Sequence, residues 1–248
     1  MLAVYAHPDD ESLWSGGVLA RHAAAGARTA VVTTTWTAGT TRAGELAEAL
    51  RILGAGEPRL LGYADARVPY SAPDGRRWCD VPLEEAVRRL VAHIRELRPQ
   101  IVVTHDAYGG MTGHPDHVHT HRATLLAVRA AGLDLVYPDS GAPWRPGALY
   151  FATHPHSAVR AVGDRLIRTG KARYTVPDEL VTATVDVGPW LAQKWAAVRA
   201  HRSEVARGAA PGLIASWPAD VRERMLATEW YIRHEPPPGS APQTPLTA

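Results

Sequence analysis

Six residues into the chain, Ala6-His7-Pro8-Asp9-Asp10-Glu11 gathers an imidazole and three carboxylates directly behind an apolar run, Leu2 to Tyr5. Like charges this close repel and raise one another's pKa unless a cation or acid-base work keeps them together. A second cluster, Gly113-His114-Pro115-Asp116-His117, stands behind another apolar run, Ile101 to Thr104. Two such clusters, each at a strand end, point to one divalent ion held from two sides in a hydrolytic metalloenzyme. A mononuclear catalytic zinc takes three N/O ligands and keeps a further position open. His7 and Asp10, three apart in a turn, can reach one ion, and one histidine of the second cluster completes the set. Asp9 then remains beside the ion as a general base. Capping of the following helix needs one acidic residue and accounts for neither His7 nor the second cluster.

The elements that must position these clusters are legible as alternating β-rich and amphipathic runs. Strands are expected over 2–6, 29–35, 59–63 and 101–105. Helices are expected from about Ser12 with a stop at Gly26, from Arg42 to Leu53 closed by Gly54, between Pro82 and Pro99, and from near Pro115 to Gly132. The β-branched run over 29–35 suggests burial on both faces. Leu83, Ala86, Val87, Leu90, Val91, Ile94 and Leu97 trace a 3.6-residue stripe. This order implies a Rossmann-like, doubly wound α/β fold, a mostly parallel sheet with helices on both faces. In such sheets ligands bind beyond the carboxyl ends of the strands, the edge both clusters share. The last third is less regular and is expected to form a smaller α+β portion, with strands over 148–153 and 180–187 and a helix from about Pro189 to Val205. Residues 1–235 are expected to form a single domain and the Pro-rich 236–248 a disordered tail.

Composition excludes several classes. The net charge is +2, lysine occurs only at Lys171 and Lys194, and no basic block appears, so no nucleic-acid partner is expected. The single cysteine, Cys79, rules out an internal disulfide and a cysteine-based zinc site. No run approaches membrane-spanning length and no secretory pattern opens the chain, so a cytoplasmic protein without a membrane partner is expected. A homo-oligomer is compatible with all of this. Heavy use of Ala, Arg, Gly and Pro fits a GC-rich bacterial genome. A dinucleotide-dependent oxidoreductase is disfavoured because strand 1 runs into His-Pro-Asp-Asp-Glu, whose acidic turn would repel a pyrophosphate.

The motif pair His-Pro-Asp-Asp-Glu at 7–11 and His-Pro-Asp-His at 114–117 resembles the LmbE-like, or PIG-L, superfamily of zinc-dependent N-deacetylases. That superfamily includes N-acetylglucosaminyl-phosphatidylinositol deacetylases and the bacterial enzymes acting on N-acetylglucosaminyl-inositol in mycothiol synthesis. The resemblance spans about residues 2–125. It implies a hydrolase removing an acetyl group from an N-acetylated amino sugar or its glycoside. On this chain it places zinc on His7, Asp10 and His117, although iron(II) suits the same donors. It makes Asp9 the general base and His114 the residue that polarises the amide oxygen or protonates the leaving amine, with Asp116 orienting it. Arg42 and Asp65 fall at positions that meet a polar substrate.

Two positions depart from the family pattern. Trp36-Thr37-Ala38-Gly39 stands where many relatives carry an acidic pair, and Thr112 replaces a tyrosine of the mycothiol-type enzymes. Trp36 is expected to offer a ring for stacking and Thr112 to face the substrate, favouring a more apolar N-acetylglucosaminide or an N-acylated metabolite over the inositol glycoside. Other readings within the class are amide cleavage of a mycothiol-type thiol conjugate and deacetylation of a sugar-containing secondary metabolite. From a different class comes an inactive carbohydrate-binding relative, against which intact Asp9 and His114 argue. His117 and His121, at i,i+4, could form a metal pair of their own. His154 and His156, behind a late strand, are candidates to line the pocket, and Lys194 and His201 on the C-terminal helix carry no assigned role.

Overall fold

The computed structural model describes residues 1–72, 75–162, 174–235 and 245–246. Strands β1 (Leu2–Tyr5), β2 (Ala30–Thr35), β3 (Arg59–Tyr63), β4 (Ile101–His105), β5 (Ala148–Thr153), β6 (Ala183–Asp186) and β7 (Thr228–Arg233) form one sheet in the order β3-β2-β1-β4-β5-β7-β6. The first five pair in parallel, and β7 runs antiparallel to both β5 and β6. The helices are α1 (Asp10–Ala24), α2 (Thr41–Leu53), α3 (Leu83–Leu97), α4 (Pro115–Ala130), α5 (His156–Val162), α6 (Leu191–Ala200), α7 (Arg202–Ala206), α8 (Ala210–Ala215) and α9 (Ala219–Leu226).

Side chains of a strand alternate between the two sheet faces, and the core divides accordingly. Ala3, Tyr5, Val31, Val103 and Tyr150 pack against α1, α2 and α6. Leu2, Val4, Val32, Val102 and Leu149 pack against α3 and α4. Helices on both faces of a mostly parallel sheet make this the doubly wound α/β fold the alternation implied. Winding reverses between β1 and β4, which lie side by side with Val4 opposite Thr104. Ligands of open α/β sheets bind at such a switch point, and both motifs emerge there.

Several boundaries differ from expectation. Helix α1 begins at Asp10, two residues before Ser12, because Asp10 and Glu11 occupy its first turn, where carboxylates suit the helix N-terminus. The helix expected over 189–205 breaks at His201 into α6 and α7. The strand expected over 180–187 shortens to β6, with Asp178–Leu180 a 3-10 turn. Strand β7 and helices α5, α8 and α9 were not legible as elements. A small satellite cluster, Val162, Trp217, Val221 and Met225, joins α5 to α9 apart from the main core. The expected disordered tail lies almost wholly outside the described residues, though Leu246 is buried in the core cluster under α1 and α6. Among the described residues no helix is long and apolar enough to cross a membrane.

Candidate active site

Strand β1 delivers His7 and Asp10 to the sheet edge, and the first turn of α4 delivers His117 beside them. His7 Nδ1 lies 3.0 Å from His117 Nε2 and 3.4 Å from Asp10 Oδ2, and His117 Nε2 lies 3.3 Å from the same oxygen. Three donors at about 2.0–2.1 Å from a tetrahedral zinc stand roughly 3.3 Å apart, so the triangle fits one small divalent ion. The outer nitrogens are committed elsewhere, which leaves the inward ones turned toward one another and available to an ion. His117 Nδ1–H donates to the Gly109 carbonyl at 3.1 Å, and His7 Nε2–H donates to Asp116 Oδ2 at 3.2 Å. Asp116 is itself pinned by the N–H groups of Ala66 at 2.9 Å and Cys79 at 3.0 Å.

The electrostatics call for positive charge at this point. Burial works against a charged His7, but hydrogen bonds to Asp10 and Asp116 outweigh it and carry its pKa to about 10. Asp10, although buried, is held well below the usual carboxylate range by His117 and His105. A divalent cation satisfies the same demand that a proton on His7 otherwise meets.

Asp9 sits at the N-cap of α1 with φ 128°, a conformation L-residues rarely adopt and one that concentrates at functional sites. Its N–H donates to Glu11 Oε2 at 3.0 Å, and its carboxylate lies 3.4 Å from the Arg42 guanidinium. Burial raises its pKa to about 7 against the lowering pull of Arg42. His114 caps α4, its Nδ1 accepting from the Asp116 N–H at 3.2 Å. That leaves Nε2 as the N–H, 3.8 Å from Asp65 Oδ1. Burial, followed by the charge on His7, pushes His114 down to about 2 and keeps it neutral.

The other expected residues divide. Asp65 lines the cavity at the triangle, with Oδ2 3.4 Å from His7 Nε2, while Oδ1 caps its own turn at Arg67 N, 2.7 Å away. Thr112 also lines the cavity. Arg42 reaches the cavity but is buried and tied to Asp9, to the Pro8 carbonyl and to Glu204 Oε1 at 3.3 Å. Trp36 does not line the cavity; its ring lies under Arg42, 4.7 Å from the guanidinium carbon. Its expected stacking role therefore gives way to a cation–π contact. Asp116 touches His114 through its backbone, and its carboxylate is nearer His7 (3.2 Å) than His114 Nδ1 (3.6 Å). The expected orienting carboxylate of His114 thus serves His7 first.

His121 Nδ1–H donates to the His105 carbonyl at 2.9 Å, and among the described residues His121 belongs to no group of donors close enough to share an ion with His117. His156 bonds Thr175 Oγ1 at 2.6 Å, away from the cavity, whereas His154 lines it. Sequence reasoning passed over His105. It is fully buried, stacks on His117 with centroids 3.9 Å apart, and puts Nε2 3.3 Å from Asp10 Oδ2. A histidine closing an otherwise apolar central strand was the available signal. His201 pairs with Glu11 at 2.8 Å, both fully buried, and so braces the backbone of Asp9 through Glu11. Burial opposes both charges, yet each partner's charge outweighs it, lowering Glu11 and raising His201.

His7, Asp9, Asp10, Arg42, His114 and His117 open onto one cavity of about 380 Å³. Its walls differ: Asp65, Arg67, Thr112 and His114 form a polar side, and Leu13, Trp14, Met111, Ile214, Leu226 and Trp230 an apolar one.

Comparison with known proteins identifies the family. Residues 2–128 match the PIG-L family, described as GlcNAc-PI de-N-acetylase. The 1D-myo-inositol 2-acetamido-2-deoxy-alpha-D-glucopyranoside deacetylase of Rhodococcus jostii is 38% identical over 267 residues, covering 94% of this chain and 90% of that protein. The conserved protein TT1542 of Thermus thermophilus superimposes with a TM-score of 0.69 at 27% identity, covering 99% of both chains. At 18% identity and a TM-score of 0.64, the N,N'-diacetylchitobiose deacetylase of Pyrococcus horikoshii shares the fold, over 94% of this chain and 82% of that one. With its two motifs closing on a single donor triangle at the switch point, the chain belongs to the PIG-L family of N-deacetylases.

Proposed function

We propose that the chain is a metal-dependent hydrolase of the N-acetyl amide of an amino-sugar glycoside. The observation that carries this is the donor triangle of His7, Asp10 and His117 opening onto the same cavity as Asp9 and His114. His7 Nδ1, Asp10 Oδ2 and His117 Nε2 would hold a zinc or iron(II) ion, which supplies Lewis acidity for the carbonyl and lowers the pKa of water.

Asp9 accepts a proton from the attacking water, and a base poised near pH 7 does this well. The hydroxyl oxygen adds to the acetyl carbon. His114, neutral with Nε2 protonated, donates to the oxygen on which negative charge develops. The C–N bond then breaks as the amine nitrogen takes the proton from Asp9, giving acetate and a free primary amine. Asp65, Arg67 and Thr112 offer polar groups to the sugar at the cavity's polar wall.

The similarity to the Rhodococcus deacetylase makes N-acetylglucosaminyl-inositol the first substrate to offer. Trp36, buried under Arg42, gives no reason to disfavour inositol. The test compares Asp9→Asn with Asp10→Asn by elemental analysis and amine release. Asp9→Asn keeps the ion and loses about two orders of magnitude or more in rate, while Asp10→Asn loses the ion. The reverse pattern would mean the two aspartates exchange roles.

A further inference from the structure

The cavity is larger than an acetyl group requires. Its volume of about 380 Å³ has to take the sugar as well as the acyl group, and much of its lining is apolar.

Its two walls assign the two ends of an amide. The sugar carried by the leaving nitrogen belongs against the polar wall, where Asp65 Oδ1 stands 3.8 Å from His114 Nε2. The acyl substituent leaves the carbonyl in the opposite direction, toward Leu13, Trp14, Met111, Ile214, Leu226 and Trp230. An aromatic ladder leads there from the donor set. His105 stacks on His117, Trp14 meets His105 edge-on at 5.9 Å, His154 meets Trp14 at 4.7 Å, and Trp230 meets His154 at 5.6 Å.

This wall carries no net charge. Burial pushes His154 down to about 3, so it stands there as a neutral ring. The Lys194 ammonium and the Glu229 carboxylate cancel across a 2.7 Å contact. An acetyl group would leave most of that apolar surface in water, whereas a longer chain would cover it.

We propose that this apolar chamber is an acyl pocket, and that the enzyme hydrolyses N-acyl amino-sugar glycosides whose acyl group is several methylenes longer than acetyl faster than their N-acetyl counterparts. The inference rests on the amide hydrolysis proposed above and uses the same step. Water adds to the acyl carbon, the C–N bond breaks, and a longer carboxylate leaves with the free amine.

The test uses metal-loaded protein and methyl glucosaminides N-acylated with acetyl, butanoyl or hexanoyl, alongside hexyl N-acetylglucosaminide. Free amine is measured for each. A buried methylene contributes up to about fourfold, so kcat/KM rises about tenfold from acetyl to butanoyl. Ile214→Trp and Leu226→Trp, which fill the chamber, lower the butanoyl-to-acetyl ratio by about tenfold. Calorimetric titration adds a readout without turnover: hexanoate binds the wild type more tightly than acetate, and Ile214→Trp removes the difference. Turnover of the acetyl substrate with no gain along the acyl series overturns the acyl pocket and leaves deacetylation standing. A gain for the hexyl glycoside alone overturns it too, by placing the aglycone in the chamber. Absence of amine from every substrate removes the deacylation reading itself.

Discussion

Asp9 and Arg42 form the pair on which the chemistry turns. Asp9 is active only when ionised, so activity rises with pH through its pKa. Burial raises that pKa and the Arg42 charge lowers it, so Arg42→Gln moves the acidic limb of the kcat/KM profile to higher pH. An unmoved limb would mean that the 3.4 Å contact does not tune the base. His105 yields a second prediction. His105→Phe preserves a ring against His117 but removes the contact of Nε2 with Asp10, so metal affinity in chelator competition falls about 10- to 100-fold, the usual cost of a lost outer partner. At this scale the two clusters were legible because His-Pro-Asp recurs at 7–9 and 114–116, each behind a strand. The partners were not. Trp36 lies under Arg42 and outside the cavity lining, and the carboxylate of Asp116 turns to His7, because side-chain partnering across loops leaves no periodic trace in a sequence.

Helix α1 carries Asp10 at its start, and its path depends on a kink at Ser15, where φ is −141°. Kinks arise where a side chain enters the helical ladder, and here Glu229 of β7 accepts from the N–H groups of Gly17 at 2.8 Å and Val18 at 3.0 Å. Lys194 of α6 supplies the counter-charge, and the Tyr231 hydroxyl donates to Glu229 at 2.8 Å. Removing one member of a buried pair leaves an uncompensated charge, at a cost of about 3–5 kcal/mol. Lys194→Met therefore destabilises the protein by about 3 kcal/mol in denaturant unfolding, and adding Glu229→Gln recovers part of the loss. Equal stabilities for wild type and Lys194→Met would show that the hydrogen-bond donors alone satisfy Glu229. The parallel strands and α2 to α4 were legible from period and from Gly and Pro punctuation. The break between α6 and α7 was not: His201 leaves the helix to reach Glu11, 190 positions away, a contact that no local pattern encodes. Strand β7 likewise owes its place to antiparallel pairing with two distant strands.

Across the whole molecule the labour is divided along the chain. The sheet order brings the ends of β1 and β4 together at the switch point, so the first half of the chain supplies every donor of the triangle, together with Asp9 and His114. That half is also the part the family model matches, residues 2–128. The last third, irregular in sequence, supplies Lys194, His201, Ile214, Leu226 and Trp230, which brace α1 or wall the cavity. Reaction class was therefore readable early, and the shape of the substrate was not. Chelation followed by graded return of one divalent ion, with free amine and acetate both measured on N-acetylglucosaminyl-inositol, tests the metal-dependent hydrolysis most directly. Amine and acetate should appear in equal amounts, vanish on chelation and recover in full at one ion per chain. Amine release that survives complete chelation, or an ion bound at full occupancy to His7, Asp10 and His117 without any release, would contradict it.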